Sequence, residues 1–422
     1  MKRNRTERVS RSTSSSEEAP KGRTRDEVKR DRPLQLAETI TMIQDDEPAP
    51  SEDEDDITDV PPISAKPVTD AKIKIGGTRG DGFFYLTFLA VGQGDCAIMA
   101  TPEGKILMID CGTNGTGGRR AETLARCREV VLKPRYMQDT TRVHALILTH
   151  PDKDHYYWIP QVFPEGVSFG SIYYSGSFAK YKTGKTARFL RRRCPSADRK
   201  HVYHYQDDDD LPVRTLGGDD VPVRTRPGQV DCLIGDAIRI VDEPHCKISI
   251  LAAEVPQTHR NDKGDKVNTF SVVTLIEVFD DRILIVGDAT FSTEAYLMAR
   301  HPAKITDLSL LQVGHHGSVT TSSLPAFVAM TNPAQAVICS AERIETNHLP
   351  RREVVDRYLD LMEGRDDTVL EPELHKIYCW QPGSRGGATR RFHRRKLWTD
   401  VPLWSTGTGR FDYVPDKPES VD

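Results

Sequence analysis

The chain has 422 residues and a formal net charge of −4, with 28% charged and 37% apolar residues. This length fits one domain of about 250–300 residues with additional segments, and the slight negative charge excludes a general attraction to nucleic acid. We predict no membrane span and a cytoplasmic location, because the chain has neither a long apolar run nor a signal peptide. The eight cysteines lack C-x-x-C pairs, which is typical of reduced core residues.

The first segment, residues 1–75, contains no Phe, Trp or Tyr and is rich in charged residues, Ser and Pro. It is basic from Lys2 to Arg32 and acidic from Asp45 to Asp56. Such a segment cannot bury enough apolar surface to offset its ordering entropy, so we predict a disordered charged tail. The composition favours a solvated tail over a specific binding arm, and 34–43 is its candidate segment for folding on a protein partner.

Two acidic residues follow apolar runs early in the next segment. Asp95 lies in the turn Gly92-Gln-Gly-Asp95, and Asp110 ends the inner strand Ile106-Leu-Met-Ile. Asp95 fits an Asx-type turn residue as well as a group that faces a functional site. The role expected of Asp110 depends on the segments that follow.

The segment Leu146-Ile-Leu-Thr-His150-Pro-Asp152-Lys-Asp154-His155 is the most informative in the chain. A buried strand ends there in a turn that carries four potential metal ligands. Carboxylates and imidazoles at that density repel one another or leave polar groups unpaired unless a cation gathers them. The alternative is a solvated turn in which Asp154 caps the following helix and the histidines are incidental.

Two later segments repeat this plan. Arg282-Ile-Leu-Ile-Val-Gly-Asp288 is an aliphatic run that ends in Gly-Asp, and Leu308-Ser-Leu-Leu-Gln-Val-Gly-His315-His316 ends in paired histidines. Alone, Asp288 is more typical of a helix N-cap, and paired histidines also occur in surface turns. Three such strand ends in one chain instead predict a single metal site at one edge of a sheet layer.

Two basic stretches favour a phosphate-bearing partner. Arg188–Arg193 lies in an apparent insertion at about 178–232, and 385–396 interleaves basic and aromatic residues. Such stretches suit phosphate contact and base stacking, although a charged solvent-facing hairpin explains the same pattern. The tryptophans of residues 365–415 predict a small C-terminal β appendage.

The motifs share their order and spacing with a known family. They are Leu89–Asp95, Ile106–Gly112, His150–His155, Asn268–Val273, Val286–Ala289, Val313–Ser318, Ala336–Ser340 and His348–Pro350. In these the chain resembles the metallo-β-lactamase superfamily, and most of all the hydrolase domain of ComEC-type competence proteins, which handle DNA during uptake. The resemblance implies an α/β fold, an αβ/βα four-layer sandwich over residues 80–362, with a two-metal site at the sheet edges.

Two departures from the family pattern affect the expected metal site. Asp152 stands where most relatives have the second histidine of H-x-H-x-D-H, as in the competence-type branch. An oxygen ligand in place of imidazole shifts the preference from Zn²⁺ toward Mn²⁺ or Mg²⁺. The family also has a lone histidine ligand before the Gly-Asp motif. The histidines of that interval are His201, His204, His245 and His259, and none is a clear match.

We expect two divalent ions, Zn²⁺ or Mn²⁺, held about 3.5–4 Å apart. The predicted metal ligands are His150 and Asp152 for one ion, Asp154 and His155 for the other, Asp288 between them, and His315 to complete the shell. The choice between His315 and His316 as the ligand stays open. The predicted catalytic residues are Asp154, His316 and His348, the two histidines as donors to the oxyanion or leaving group, and Asp110, which would orient a ligand.

The function predicted from these motifs is a metal-dependent hydrolase. It would be a phosphodiesterase or nuclease that acts on DNA, or on another phosphodiester, through a metal-activated water. The same scaffold also serves small esters, such as a phosphorylcholine-type phosphodiester or a lactone. A non-catalytic module that binds partners is the third alternative, and the complete ligand motifs argue against it.

Overall fold

The computed structural model of the protein describes residues 78–114, 120–204, 213–216, 219–226, 229–234, 237–264, 266–340, 349–362, 401–405 and 412–413. The predicted tail and its candidate partner-binding segment lie outside these residues. So do His348, the basic stretch 385–396 and most of the predicted C-terminal appendage.

Seventeen strands and eight α-helices form the described structure. The strands are β1 (Phe84–Phe88), β2 (Cys96–Ala100), β3 (Ile106–Cys111), β4 (Arg142–Leu148), β5 (Ser168–Tyr174), β6 (Arg199–His204), β7 (Val213–Leu216), β8 (Asp219–Arg226), β9 (Gln229–Ile234), β10 (Ile238–Glu243), β11 (Cys246–Ala252), β12 (Val273–Val278), β13 (Asp281–Ile285), β14 (Leu310–Gln312), β15 (Gln335–Val337), β16 (Val401–Ser405) and β17 (Asp412–Tyr413). The helices are α1 (Arg120–Val131), α2 (Lys153–Tyr156), α3 (Ile159–Val162), α4 (Thr186–Arg191), α5 (Phe291–Arg300), α6 (Pro302–Ile305), α7 (Pro325–Thr331) and α8 (Arg352–Met362).

The strands form two mixed sheets. The first has the order β17-β16-β1-β2-β3-β4-β5-β6-β9-β8-β7, and the second has the order β10-β11-β12-β13-β14-β15. Strands β3 to β6 run parallel to one another, as do β13 to β15. Parallel strands of one sheet end at the same edge, so the turns that follow β3 and β4, and those that follow β13 and β14, are brought together in pairs.

Each central strand is buried on both faces, which explains its nearly continuous apolar sequence. In β3, Leu107 and Ile109 belong to the core between the two sheets, together with Ile283 of the second sheet. Their neighbours Ile106 and Met108 point the other way, into a core shared with α1, α3 and α4. A third core packs the second sheet against α5, α6, α7 and α8.

The four layers are therefore helices, sheet, sheet and helices, which confirms the αβ/βα sandwich predicted from the sequence. Full burial of each large aliphatic side chain stabilises this arrangement by about 1.5–3 kcal/mol.

Additional strands widen the first sheet at both ends. The segment 178–232, predicted to be an insertion, contributes α4 and β6 to β9, and β6 pairs with β5. At the other end, β16 of the C-terminal region pairs with β1, and β17 pairs with β16. No helix within the described ranges combines the length and the apolar character needed to cross a membrane.

Candidate metal centre

Two close backbone contacts bring the ligand-bearing turns together. Gly112 follows β3 against the turn after β4, and a Cβ at Gly112 would lie 2.4 Å from the carbonyl carbon of Asp154. Gly287 follows β13 with φ +55°, and its Cβ would lie 2.9 Å from the Cβ of Thr149. Both positions need glycine for the close approach, and Gly287 needs it for the positive φ as well. The ends of the two sheets therefore meet where the sequence carries its histidines and carboxylates.

Two histidines are fixed by a hydrogen bond at Nδ1 to a buried acceptor. His155 Nδ1 lies 2.7 Å from Asp110 Oδ2, and His316 Nδ1 lies 2.7 Å from the carbonyl oxygen of Cys339. Because a carboxylate and a carbonyl only accept, each Nδ1 carries the proton. The lone pair of each neutral ring therefore lies on Nε2, the atom that faces the centre of the site.

The other two histidines are held in the same way by threonine hydroxyls. His150 Nδ1 lies 3.1 Å from Thr149 Oγ1, and His315 Nδ1 lies 2.6 Å from Thr321 Oγ1. Thr149 donates its own proton to Asp110, so its oxygen is left to accept from His150. Both rings again present Nε2 toward Asp288.

The carboxylate of Asp288 lies between the four imidazoles and divides them into two pairs. Its Oδ1 is 3.3 Å from His155 Nε2 and 3.5 Å from His316 Nε2. Its Oδ2 is 3.8 Å from His150 Nε2 and 3.7 Å from His315 Nε2. We call the space at the Oδ2 side the first position and the space at the Oδ1 side the second position.

Each position has one further carboxylate. Asp152 Oδ2 is 3.6 Å from His150 Nε2, and the side chain of Asp152 is 45% exposed, at the mouth of the site. Asp154 Oδ2 is 3.4 Å from His316 Nε2 and accepts a hydrogen bond of 2.6 Å from the side-chain amide of Asn114. The first position is therefore the more open of the two.

Four of the buried ligand atoms have no hydrogen-bond partner in the described part of the chain. Within the described residues, Nε2 of His150, His155 and His316 and Oδ1 of Asp288 make no hydrogen bond. Buried polar atoms are nearly always paired, and unpaired ones are costly. Within the described residues, four groups of side chains have ligand atoms within 4.8 Å of one another, with donor types and spacing that fit divalent cations. They are His150, His155 and Asp288; Asp154, His155 and His316; Asp95, Asp288 and His316; and Asp95, Asp110 and His155.

The electrostatics of the site favour positive charge. Burial disfavours the charged form of His316, but the carboxylates of Asp288 and Asp154 outweigh it and raise the pKa of His316 to about 10. Burial likewise opposes charge on His155, yet Asp288 and Asp110 hold the pKa of His155 well above its usual range. Burial alone would raise the pKa of Asp288, but the imidazoles hold it well below its usual range. Protons on the histidines or bound cations supply the charge that these carboxylates demand.

Asp95 and Gln312 connect the two sheets behind the site. The side-chain amide of Gln312 donates to Asp95 Oδ2 at 2.9 Å, and its oxygen accepts from the backbone N–H groups of Val286 and Gly287, each at 2.9 Å. Burial raises the pKa of Asp95 to about 6. Sequence reasoning did not identify Gln312; its signal is a polar residue inside the aliphatic run of β14.

Seven of the predicted site residues surround this space, and Asp110 lies directly behind His155. The seven are His150, Asp152, Asp154, His155, Asp288, His315 and His316. His348 lies outside the described residues. None of the four histidines between the first motif and Asp288 belongs to the ligand groups of the described chain. Their rings contact aromatic side chains instead: His201 with Tyr174, His204 with Tyr296, His245 with Phe279 and His259 with Phe291.

The site opens into a cavity of about 390 Å³. Besides the ligand groups, Gln93, Asn114, Ser318, Thr320 and Arg351 line it. These side chains offer neutral hydrogen-bond donors and one guanidinium. A cavity of about 470 Å³ at the other end of β3, beside Lys105 and His144, does not touch the ligand groups.

Fold and site together define a class: an α/β sandwich of the metallo-β-lactamase type with a His/Asp cluster that fits metal ions at the ends of its strands. No protein-family model matches the chain. Over 107 residues, 25% of the chain, it is 34% identical to the uncharacterized protein YcaI of Escherichia coli K12 and covers 13% of that protein's length.

Two solved structures are similar to the chain at low sequence identity. The short form of human tRNase Z is 12% identical, with 61% of this chain and 93% of that chain covered and a TM-score of 0.35. The metallo-β-lactamase fold protein YhfI of Bacillus subtilis is 9% identical, with 67% and 94% covered and a TM-score of 0.34. Likenesses this weak carry no argument about activity, which has to rest on the site itself.

Proposed function

We propose that this protein is a metal-dependent hydrolase with two divalent ions, Zn²⁺ or Mn²⁺. The observation that supports it is the arrangement of four imidazole Nε2 atoms around the two oxygens of one buried aspartate. The proposed ligands of the first position are His150, Asp152, His315 and Asp288, and those of the second are Asp154, His155, His316 and Asp288. His316 is thereby proposed as a ligand in place of the donor role expected from the sequence, because its Nε2 faces both Asp154 and Asp288.

Two ions bound in this way would activate a water molecule, polarise the scissile group and stabilise the leaving oxygen. The chain contributes the orientation of the ligands. Asp110 fixes His155, and Asn114 fixes Asp154 through a hydrogen bond of 2.6 Å. Proton donation to the leaving group by His348 stays a prediction from the sequence.

The substrate we propose is a phosphodiester. Arg351 contributes a positive charge to the cavity wall, and Gln93, Asn114, Ser318 and Thr320 contribute neutral donors. This combination suits the two non-bridging oxygens of a phosphodiester, which share one negative charge. An uncharged ester or lactone would have no need of the guanidinium.

DNA is the phosphodiester that the competence-type motifs favour. The stretch Arg188–Arg193 supports contact with a polyanion only in part. Arg188, Arg191 and Arg192 are exposed, whereas the guanidinium of Arg193 lies 3.9 Å from the centre of the Phe189 ring. The exposed arginines are available for phosphates, and Arg193 has a packing role as well.

The test is cleavage of labelled single- and double-stranded DNA with Mn²⁺, Mg²⁺ or Zn²⁺, with Asp154→Ala beside the parent protein. Asp139→Ala is the matched control, because Asp139 is 70% exposed in a surface ion pair with Arg79. We expect metal-dependent cleavage that Asp154→Ala abolishes and Asp139→Ala retains.

Two other outcomes separate the alternatives. Hydrolysis of a phosphorylcholine ester or a lactone without DNA cleavage would establish a small-ester hydrolase. No hydrolysis of any of these substrates, by protein that holds two ions, would contradict the proposed function.

A further inference from the structure

The first position has fewer buried protein ligands than the second. Asp152 is half exposed, and no histidine of the interval before Asp288 reaches the site within the described residues. The second position, by contrast, has His155, His316 and Asp154, all buried. Another buried ligand at the first position would bring its number of buried ligands closer to that of the second position.

Asn268 is the residue that the structure brings to this place. It begins a short 3-10 turn, Asn268–Phe270, between β11 and β12, and its side chain is 3% exposed. It lines the same cavity as Asp152, Asp288 and His315. The amide nitrogen of Asn268 lies 3.2 Å from His315 Nε2, the atom that faces Asp288 Oδ2.

The amide oxygen of Asn268 has no hydrogen-bond partner within the described residues. Its nitrogen and oxygen can exchange places by a rotation of the amide about its terminal bond. His315 Nε2, whose partner ring nitrogen is held by Thr321, is an acceptor and not a donor. In either orientation, therefore, the described residues offer this buried oxygen no donor, although an unpaired buried amide oxygen is costly. A cation at the first position would satisfy the oxygen once the exchange turns it toward His315 Nε2.

The turn that carries Asn268 is fixed against the strand end that carries His150. The backbone N–H of Val272 donates to the carbonyl oxygen of Thr149 at 3.0 Å. The ring of Phe270 packs over Gly176, where a Cβ would lie 3.2 Å from the ring. Asn268 is thus held beside the first position by the contacts of the two residues Phe270 and Val272 that follow it, which is the condition for a pre-organised ligand.

We propose that Asn268 contributes its amide oxygen as a ligand of the first metal position. The proposal rests on the proposed two-metal centre and adds a residue to it. The first position then has three oxygen donors, from Asp152, Asp288 and Asn268, beside its two imidazoles. The second position has two oxygen donors, from Asp154 and Asp288, beside its two imidazoles. Oxygen-rich sites favour Mn²⁺ or Mg²⁺, and imidazoles favour Zn²⁺. The two positions therefore differ in metal preference, and Asn268 sets that difference.

The test measures metal binding by the full chain, without reference to activity. Mn²⁺ and Zn²⁺ are titrated into chelator-treated protein, and bound ions are counted by mass spectrometry after equilibrium dialysis. The variants are Asn268→Ala, which removes the oxygen, and Asn268→His, which replaces it with an imidazole. Asn261→Ala is the matched control, because Asn261 is exposed in the preceding turn.

We expect two ions in the parent and in the control. Asn268→Ala should weaken one of the two Mn²⁺ ions by at least about tenfold and leave the other unchanged. Asn268→His should restore a second ion and shift its preference toward Zn²⁺ by at least about tenfold. Circular dichroism checks that each variant is folded. If Asn268→Ala is unfolded, the metal binding of Asn268→His tests the proposal by itself.

The proposal is overturned if the parent binds two ions and both Asn268 variants bind them with unchanged affinity and preference. A parent that binds fewer than two ions under all conditions instead contradicts the proposed two-metal function. The two failures are therefore distinguishable.

Discussion

Replacing Asp110 by Asn changes one buried atom and tests how the site fixes its histidines. Asp110 is the last residue but one of β3 and has φ 53°. Its carboxylate accepts from the backbone N–H of Thr149 at 2.8 Å, from Thr149 Oγ1 at 2.5 Å and from His155 Nδ1 at 2.7 Å. Asparagine tolerates this left-handed conformation and has the same shape. The fold should therefore survive the substitution.

The effect on the ligand follows from the placement of protons. In the Asn variant one amide oxygen still accepts from the N–H of Thr149, but an N–H₂ group faces His155 Nδ1. That nitrogen then has to accept, so the ring proton moves to Nε2, the atom 3.3 Å from Asp288 Oδ1. A metal ion needs the lone pair on Nε2, so it would have to move the ring proton back to Nδ1. There the N–H of His155 would face the N–H₂ group of the asparagine, and two donors would oppose each other. The lost charge-assisted bond is equivalent to about 1.5–3 kcal/mol, or roughly 10–100-fold in metal affinity.

The assay is competition with a chelator, which resolves the affinities of the two ions. We expect Asp110→Asn to weaken the second position most. Thr149→Val is the comparison, because it removes the hydroxyl beside His150 and keeps the bond between Asp110 and His155. It should weaken the first position more than the second. Unchanged affinity at the second position in folded Asp110→Asn would refute the tautomer argument.

Three further predictions concern the backbone contact, the pH dependence and the cavity wall. Gly112→Ala should remove the second ion, since its Cβ would lie 2.4 Å from the carbonyl carbon of Asp154; an ion count equal to the parent's would contradict this. Burial raises the pKa of Glu294 to about 8 from an ordinary value of 4.5, so the contribution of its protonated form to stability is full below pH 4.5 and is lost as the pH rises through 8. The loss is about 5 kcal/mol in the free energy of unfolding, and urea unfolding of Glu294→Gln from pH 4.5 to 9 should lack this component. Arg351→Ala should raise the KM for a phosphodiester by about tenfold with a smaller change in kcat, and an unchanged KM would exclude Arg351 from substrate binding.

The fold could be predicted because its physical signals are local. Buried strands such as β4 and β13 are aliphatic on both faces, and each ends in a turn that changes abruptly to ligand residues. Carboxyl ends of parallel strands share an edge, so the meeting of these turns follows from the sheet order. The four-layer sandwich needed only these patterns and the family resemblance.

The detail of the site could not be read from the sequence. His315 and His316 are neighbours with the same local signal, and only distant contacts, with Thr321 and the carbonyl oxygen of Cys339, determine where each Nε2 points. Asn268 is neutral, so it gives no titratable signal, and its importance depends on an unpaired oxygen that only the three-dimensional structure reveals.

The placement of Asp288 makes the site a property of both sheets together. The first sheet supplies His150 and His155, and the second supplies Asp288 and His316, so neither sheet holds a complete set of ligands. Their spacing depends on the packing of the core between the sheets and on the hydrogen bond from Gln312 to Asp95. A cation bound between the sheets therefore adds a cross-link to the hydrophobic packing, and metal affinity and folding stability should rise and fall together.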